Sequence, residues 1–187
     1  SSGKMGYAIA KVVKEYGANV DLISGPVNLS VIPQVNTIHI ETSNDMKNNV
    51  NDLLNKNTYD YIFMVAAVGD YYMNNISNQK LKSSQDKLKI ELNKSPDILK
   101  NISERSDATI IGFALETNNG EKEALKKLKN KNIDYIVLNY ANEENAGFES
   151  NTNHVYLYSR SGLKKEFKLD RKDRIAKSII DNVINNE

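Results

Sequence analysis

Cysteine is absent from the 187 residues, which removes disulfides, thiolate metal sites and cysteine nucleophiles together. A surplus of one charge is missing too: 25 Lys+Arg stand against 24 Asp+Glu, a formal balance of +1. Such a chain has no overall positive field to hold a polyphosphate backbone, so non-specific nucleic-acid binding is disfavoured. Long apolar runs are lacking. The longest, Tyr61 to Val68, falls far short of the roughly 20 residues that a membrane span needs. No charged-then-apolar signal segment opens the sequence, and no Gly-x-x-x-x-Gly-Lys-Ser/Thr phosphate loop occurs in it. A soluble, cytoplasmic protein of a reducing compartment is the expectation. With 40% apolar residues the chain can bury an ordinary core, and its length fits one domain.

What is present is a regular alternation of helix and strand patterns. Met5, Ala8, Ile9, Val12, Val13 and Tyr16 recur at the spacing of one helical face, and Gly17 supplies a stop. Val20–Ser24 and Thr37–Glu41 read as strands, with a helix from about Asn44 to Leu54 following. Tyr61–Val68 is apolar without alternation, as in a strand covered on both faces of a parallel sheet. Ser95-Pro96-Asp97 can cap a helix running to about Glu104. Thr109–Leu115, Ile133–Asn139 and His154–Ser159 read as further strands. A helix over Glu121–Lys131 is expected to turn Ala124, Leu125 and Leu128 inward, and Ile175, Ile179, Ile180, Val183 and Ile184 mark a closing helix. Helices interleaved with apolar strands indicate an α/β, doubly wound, Rossmann-like fold with a mainly parallel sheet.

Two features depart from that pattern. Residues 74–94 are polar, with Leu88, Ile90 and Leu92 alternating, and read as a hairpin-like arm outside the sheet that could serve as a dimer contact. A doubly wound fold also places its first strand centrally, ahead of the Gly-rich turn. Here the turn Ser1-Ser2-Gly3-Lys4-Met5-Gly6 comes first. The expectation is a single domain, 1–187, whose first central strand is missing because the natural protein extends further N-terminally.

Open α/β sheets bind ligands beyond the carboxyl ends of their strands, and several segments deliver polar groups there. Ser1, Gly3 and Gly6 start a helix, where free N–H groups and the helix dipole favour an anion; a plain tight turn explains the glycines equally well. Ala66-Ala67-Val68-Gly69-Asp70 follows a strand, with small residues for close approach and a carboxylate to accept hydrogen bonds or help hold a metal. Phe113 could stack on a flat base, although a core phenylalanine is the commoner case. Asn139 ends another apolar strand at the same rim. Lys80, Lys127 and Lys131 read from their positions as solvated surface cations. Tyr7-x-x-x-Lys11 matches the dyad of short-chain dehydrogenases, but with ten tyrosines about one such match arises by chance, and it lies in the first helix. His39 and His154 stand in separate strands without companions, so neither indicates a metal or a triad.

The ordered motifs go further. Ser-Ser-Gly-Lys-Met-Gly at 1–6, Leu-Ile-Ser-Gly-Pro-Val at 22–27 and Ala-Ala-Val-Gly-Asp-Tyr at 66–71 are followed by Lys-Leu-Lys at 80–82. Pro-Asp-Ile-Leu at 96–99, Gly-Phe-Ala-Leu-Glu-Thr at 112–117, Asn139 and Gly-Phe-Glu-Ser at 147–150 complete the series. Together they resemble bacterial phosphopantothenate–cysteine ligase. The resemblance implies that CTP activates 4′-phosphopantothenate as an acyl-cytidylate, which the amine of L-cysteine then attacks. It places Ser1, Gly3 and Gly6 on the nucleotide phosphates, and Ala66, Ala67 and Asp70 where nucleotide and phosphopantothenate meet. Lys80 neutralises phosphate charge at the activation step, with Asp70 as the second catalytic candidate. Pro96, Asp97, Ile98 and Phe113 surround base and ribose, with Asn139 nearby. Lys127 and Lys131 complete the CTP contacts, which overturns their surface reading. Mg2+ accompanies the triphosphate, FMN is expected only in a fused decarboxylase, and the implied assembly is a homodimer with the arm crossing to the partner. Ser95 in place of the family's usual Asn, Tyr140 in place of a frequent Asp, and a shortened lysine run in the arm depart from the pattern. An upstream Asn and Arg of the family's substrate site fall outside these residues. The rival readings are a nicotinamide-dependent oxidoreductase on a similar sheet and a non-catalytic nucleotide-binding domain.

Overall fold

The computed structural model describes residues 2–73, 89–143 and 150–185; Ser1, Lys80, most of the expected arm and the 147–149 motif lie outside them. Helix α1 (Lys4–Glu15) buries Met5, Ile9 and Val12, the stripe that the periodicity marks. It ends as Gly17 requires. At φ 86° Gly17 takes the left-handed conformation and donates to the Lys14 carbonyl, while the Ala18 N–H reaches the Val13 carbonyl, which closes a Schellman turn. Strands β1 (Asp21–Ser24) and β2 (Asn36–His39) pair in parallel. Helix α2 (Ser43–Lys56) follows, with Thr42 and Asp45 forming a reciprocal capping box. Then come β3 (Tyr61–Met64), β4 (Tyr71–Tyr72), β5 (Asn93–Lys94), α3 (Ile98–Ser103), β6 (Thr109–Glu116) and α4 (Gly120–Asn130). The chain closes with β7 (Tyr135–Tyr140), β8 (Thr152–Ser159), β9 (Lys164–Arg171) and α5 (Lys172–Ile184).

The principal sheet runs β3-β6-β7-β8-β9. Its first three strands are parallel, and β8 and β9 are antiparallel additions. Helices cover both faces. On one, α1 and α5 pack Ile9, Ile179 and Val183 against Ile111, Val137 and Leu157. On the other, Ile102 of α3 and Leu128 of α4 pack against Ile110, Ile136 and Leu138. Each fully buried aliphatic side chain contributes roughly 1.5–3 kcal/mol, so these two layers hold the architecture. It is the doubly wound, Rossmann-like arrangement that the alternation of elements implies.

Four local expectations need correction. The Tyr61–Val68 strand stops at Met64, and its residues are half-exposed rather than covered on both sides. The alternation at residues 89–92 produces no strand; instead Tyr71–Tyr72 pairs with Asn93–Lys94, an antiparallel clasp at the root of the arm. Leu125 is 42% exposed, because the inward stripe of α4 is carried by Ala124 and Leu128. Strand β9 was not expected: Lys-Lys-Glu-Phe-Lys-Leu-Asp-Arg reads as polar chain, yet a charged edge strand of this kind guards a sheet against foreign pairing.

The half-exposure of β3 has a geometric cause. Among the described residues β3 pairs only with β6 and β1 only with β2. Between the flanks of β1 and β3 opens part of a cavity of ≈ 1780 Å³, walled by Leu22, Ile23, Ile62, Phe63, Met5 and Val50. Apolar side chains therefore wall this part of the cavity on both flanks.

Candidate functional site

The same cavity extends over the carboxyl ends of β3, β6 and β7, where Gly3, Gly6, Ala66, Ala67, Asp70, Phe113, Lys127 and Asn139 all line it. Eight of the residues singled out in the sequence therefore share one concave surface. Pro96, Asp97, Ile98 and Lys131 stand beside it, at the start of α3 and the end of α4.

Gly3 precedes α1 with φ 73° and, having no side chain, cannot itself cap the helix. A Cβ at Gly3 would stand 2.8 Å from Val27 Cγ1. Glycine is thus required on two counts, backbone sign and space. Gly6 differs: it lies in the first turn of the helix, and a Cβ there would meet only Val65, at 3.8 Å. Space alone does not demand glycine at 6.

Lys127 is the most constrained cation of the group. Its Nζ donates to the Phe113 carbonyl at 2.7 Å, across the ends of two elements. Burial pulls its ammonium below the ordinary lysine range; Glu116 opposes this, Lys131 adds to it, and Asp97 and Asp70 oppose it. Lys131 pairs with the Asp97 carboxylate, which also caps α3 by accepting from the Lys100 N–H at 3.1 Å. Burial raises the Asp97 carboxyl, but the Lys131 hydrogen bond and the Lys100 N–H outweigh it, so the net shift is downward. Asp70 is exposed, and its carbonyl accepts from Ser95 N–H at 2.8 Å, tying the rim to the segment that leads into α3.

Phe113 is half-buried and packs on the α1/α5 layer, leaving part of the ring to the cavity. Ile98 is 3% exposed; its side chain belongs to the core, and only its main chain can serve a ligand. The Oδ1 of Asn139 is buried without a hydrogen-bond partner, an expensive state for an amide oxygen that a bound donor would relieve. Two polar residues that the sequence did not mark line the cavity as well: Lys172 and Asn153, 6% and 4% exposed. Their signal was hidden, one among many lysines and one among many asparagines.

The dehydrogenase-like pair is not formed. Tyr7 shares a buried 3.1 Å hydrogen bond with Ser24, whereas Lys11 faces solvent beside Glu15. His154 does have companions, contrary to expectation: its ring nitrogens lie 2.8 Å from Glu143 and 2.9 Å from Glu166. No group of three or more His, Asp or Glu able to hold a metal occurs among the described residues. No helix among them is long and apolar enough to cross a membrane.

Comparison with known proteins is consistent with this geometry. The chain is 36% identical over 184 residues to the coenzyme A biosynthesis bifunctional protein CoaBC of Vibrio vulnificus, covering 96% of this chain and 45% of that protein. It therefore spans about half the length of such relatives. It superposes on the crystal structure of the C-terminal domain of a CoaBC protein with a TM-score of 0.82 and 34% identity, covering 100% of this chain and 85% of the other. A Cab2 variant in complex with phosphopantothenate-cysteine shares the fold, with a TM-score of 0.65 at 19% identity over 82% of this chain and 53% of its own. Residues 1–186 match the family described as the DNA/pantothenate metabolism flavoprotein C-terminal domain, and the chain belongs to that family.

Proposed function

We propose that this chain carries the ligase step of coenzyme A synthesis: CTP-dependent joining of 4′-phosphopantothenate to L-cysteine. The observation that carries the reading is the single cavity at the strand ends, which gathers Gly3, Gly6, Asp70, Phe113, Lys127 and Asn139. The relatives named for coenzyme A synthesis and the neighbour bound to phosphopantothenate-cysteine support it.

A carboxylate is a poor electrophile until its oxygen joins a good leaving group. In the proposed reaction a substrate carboxylate oxygen attacks the α-phosphorus of CTP and pyrophosphate leaves. The cysteine amine then attacks the acyl carbon, CMP departs and the amine loses a proton. Two polyanions must be held together, so N–H groups and cations should dominate the site. The glycine-led start of α1 suits the phosphates, and Lys127 and Lys131 place positive charge beside Asp97 and Asp70. Phe113 offers a ring face for the base, and Asn139 an unspent amide oxygen. Ser1 and Lys80 keep the phosphate-contact and charge-neutralising roles that the resemblance implies.

Mg2+ would be carried by the triphosphate, with the exposed Asp70 carboxylate in the cavity lining as the protein group to hold it. Bound there, it would neutralise charge on the departing pyrophosphate. FMN has no role in these residues. The slot between β1 and β3 is proposed to receive one parallel strand from outside residues 1–187. Tyr71, Met73, Ile90 and Leu92, each more than half exposed at the root of the arm, are proposed to be covered by a second copy of the chain.

The test is pyrophosphate release by the complete protein. It should require CTP and phosphopantothenate together, and ATP should not replace CTP. Nucleotide binding without turnover would favour a non-catalytic domain, and binding of NADH but not CTP would favour an oxidoreductase.

A further inference from the structure

Glu116 lines the cavity and is half-buried, yet it carries none of the roles given to Asp70, Asp97, Lys127 and Lys131. It is the last residue of β6, the middle strand of the parallel set β3-β6-β7. Successive strand residues point to opposite faces. Phe113 therefore sends its ring to the α1/α5 layer. Ala114 and Glu116 face the α3/α4 side, where Ala114 joins the core. The cation on that side is Lys127 of α4, and among charged groups Glu116 has the largest influence on its ammonium. Lys127 nevertheless gives its Nζ hydrogen bond to the Phe113 carbonyl, at 2.7 Å. Across the sheet Glu116 stands opposite Tyr140, not a second carboxylate.

A carboxylate only accepts hydrogen bonds, and in a site for two polyanions it repels every phosphate. Its place is beside a donor. The other acids of the rim are committed: Asp97 to Lys131 and the Lys100 N–H, and Asp70, in the proposed reaction, to Mg2+. The donors that the substrates bring are the ribose hydroxyls, the cytosine amine and the cysteine ammonium. Lys127 beside Glu116 opposes an ammonium or a second metal ion, but not a neutral hydroxyl. A vicinal diol can present two O–H groups to the two carboxylate oxygens at once. In dinucleotide-binding sheets an acid of this kind holds a ribose hydroxyl.

We propose that Glu116 accepts the ribose hydroxyls of the nucleoside triphosphate and so selects ribonucleotides over deoxynucleotides. The inference deepens the CTP reading and rests on it. The end of β6 then presents a ring face at Phe113 and, beyond it, an acceptor at Glu116. That is the order in which a nucleoside presents base and sugar. Lys127 balances the Glu116 charge, so the acceptor adds no uncompensated negative field beside the phosphates.

The experiment titrates CTP, ATP and their 2′,3′-dideoxy analogues into the complete protein and its Glu116→Gln and Glu116→Ala variants by calorimetry. A thermal melt of each variant shows whether it folds, and the near-isosteric Glu116→Gln decides alone if Glu116→Ala does not. Wild type should hold CTP roughly 10- to 100-fold more tightly than dideoxy-CTP, the worth of one charge-assisted hydrogen bond. Glu116→Ala should cut that preference to less than about threefold, mainly by weakening CTP. Glu116→Gln, which keeps an acceptor without the charge, should fall between. An unchanged preference in the variants overturns the proposal, as does an equal loss for both nucleotides. A raised KM for cysteine with the preference intact assigns Glu116 to the amine and overturns the ribose contact. A loss restored by added Mg2+ overturns it in favour of the metal. Wild type that binds ATP but not CTP, with a Glu116-dependent preference over dideoxy-ATP, supports the ribose contact and overturns the CTP reading. Wild type that binds no nucleotide overturns both.

Discussion

Replacing Gly6 by alanine should separate stability from ligand binding. Gly6 lies inside α1, and the added methyl would meet nothing nearer than Val65 at 3.8 Å, ordinary contact. Alanine gains roughly 0.5–1 kcal/mol over glycine in a helix, so Gly6→Ala should melt about 1–4 °C higher. If Gly6 lies in the proposed phosphate cradle, the same methyl should crowd the triphosphate at a cost of about 1–3 kcal/mol, or about a 5- to 150-fold loss of CTP affinity. Gly3→Ala should do the opposite to stability. It puts a side chain at φ 73°, with Cβ 2.8 Å from Val27 Cγ1. The left-handed conformation alone costs roughly 1–2 kcal/mol. Thermal melts and CTP titration of both variants decide the matter. Wild-type CTP affinity in Gly6→Ala would remove Gly6 from the cradle, and a lower melting temperature would refute the helix argument.

Three further outcomes are expected. Asp97→Ala should lose about 0.5–2 kcal/mol by uncapping α3, whereas Asp97→Asn should keep the cap and lose only the Lys131 pairing, as denaturant curves would show. Because the folded Asp97 carboxyl is held below its ordinary value of 3.8, its contribution is present above that pH and fades as pH falls through the lower value. Stability measured between pH 5 and pH 2, wild type minus Asp97→Asn, should shrink by under about 1 kcal/mol, since the pair is partly exposed. For Lys172 stability also rises with pH, but because the charged form is the disfavoured one: with the folded ammonium at about 8 against 10.5, the unfolded chain binds the extra proton between these values. Wild-type stability should therefore rise across that window relative to Lys172→Met, by on the order of 1–3 kcal/mol; parallel curves would refute the buried charge.

The layers of the fold were legible because burial writes a period into the sequence. Met5, Ile9 and Val12 could only be one face of a helix, and Ile136, Val137 and Leu138 only a strand covered on both sides. Strand β9 escaped because an edge strand has one ladder to satisfy and little to bury, so its charges conceal it. Leu125 was misplaced because the helical stripe is narrow, and one residue of rotation carries a leucine from core to solvent. The strand-end cavity was legible in its glycines, in Asp70 and in Asn139, through their position after apolar runs. Lys127 gave no local sign: its reach to the Phe113 carbonyl depends on how α4 crosses β6, which no spacing along the chain records. The same holds for Lys172, whose reach to the Ser150 carbonyl depends on how the start of α5 folds back on the start of β8.

The breach between β1 and β3 has a practical consequence for handling these residues in isolation. Among the described residues β1 and β3 each pair with one strand only, over apolar walls, and an edge of that kind is the template on which stray extended peptides nucleate association. Preparations of the 187-residue chain by itself should self-associate with increasing concentration, and a short synthetic peptide able to zip into the breach should act as a solubilising agent.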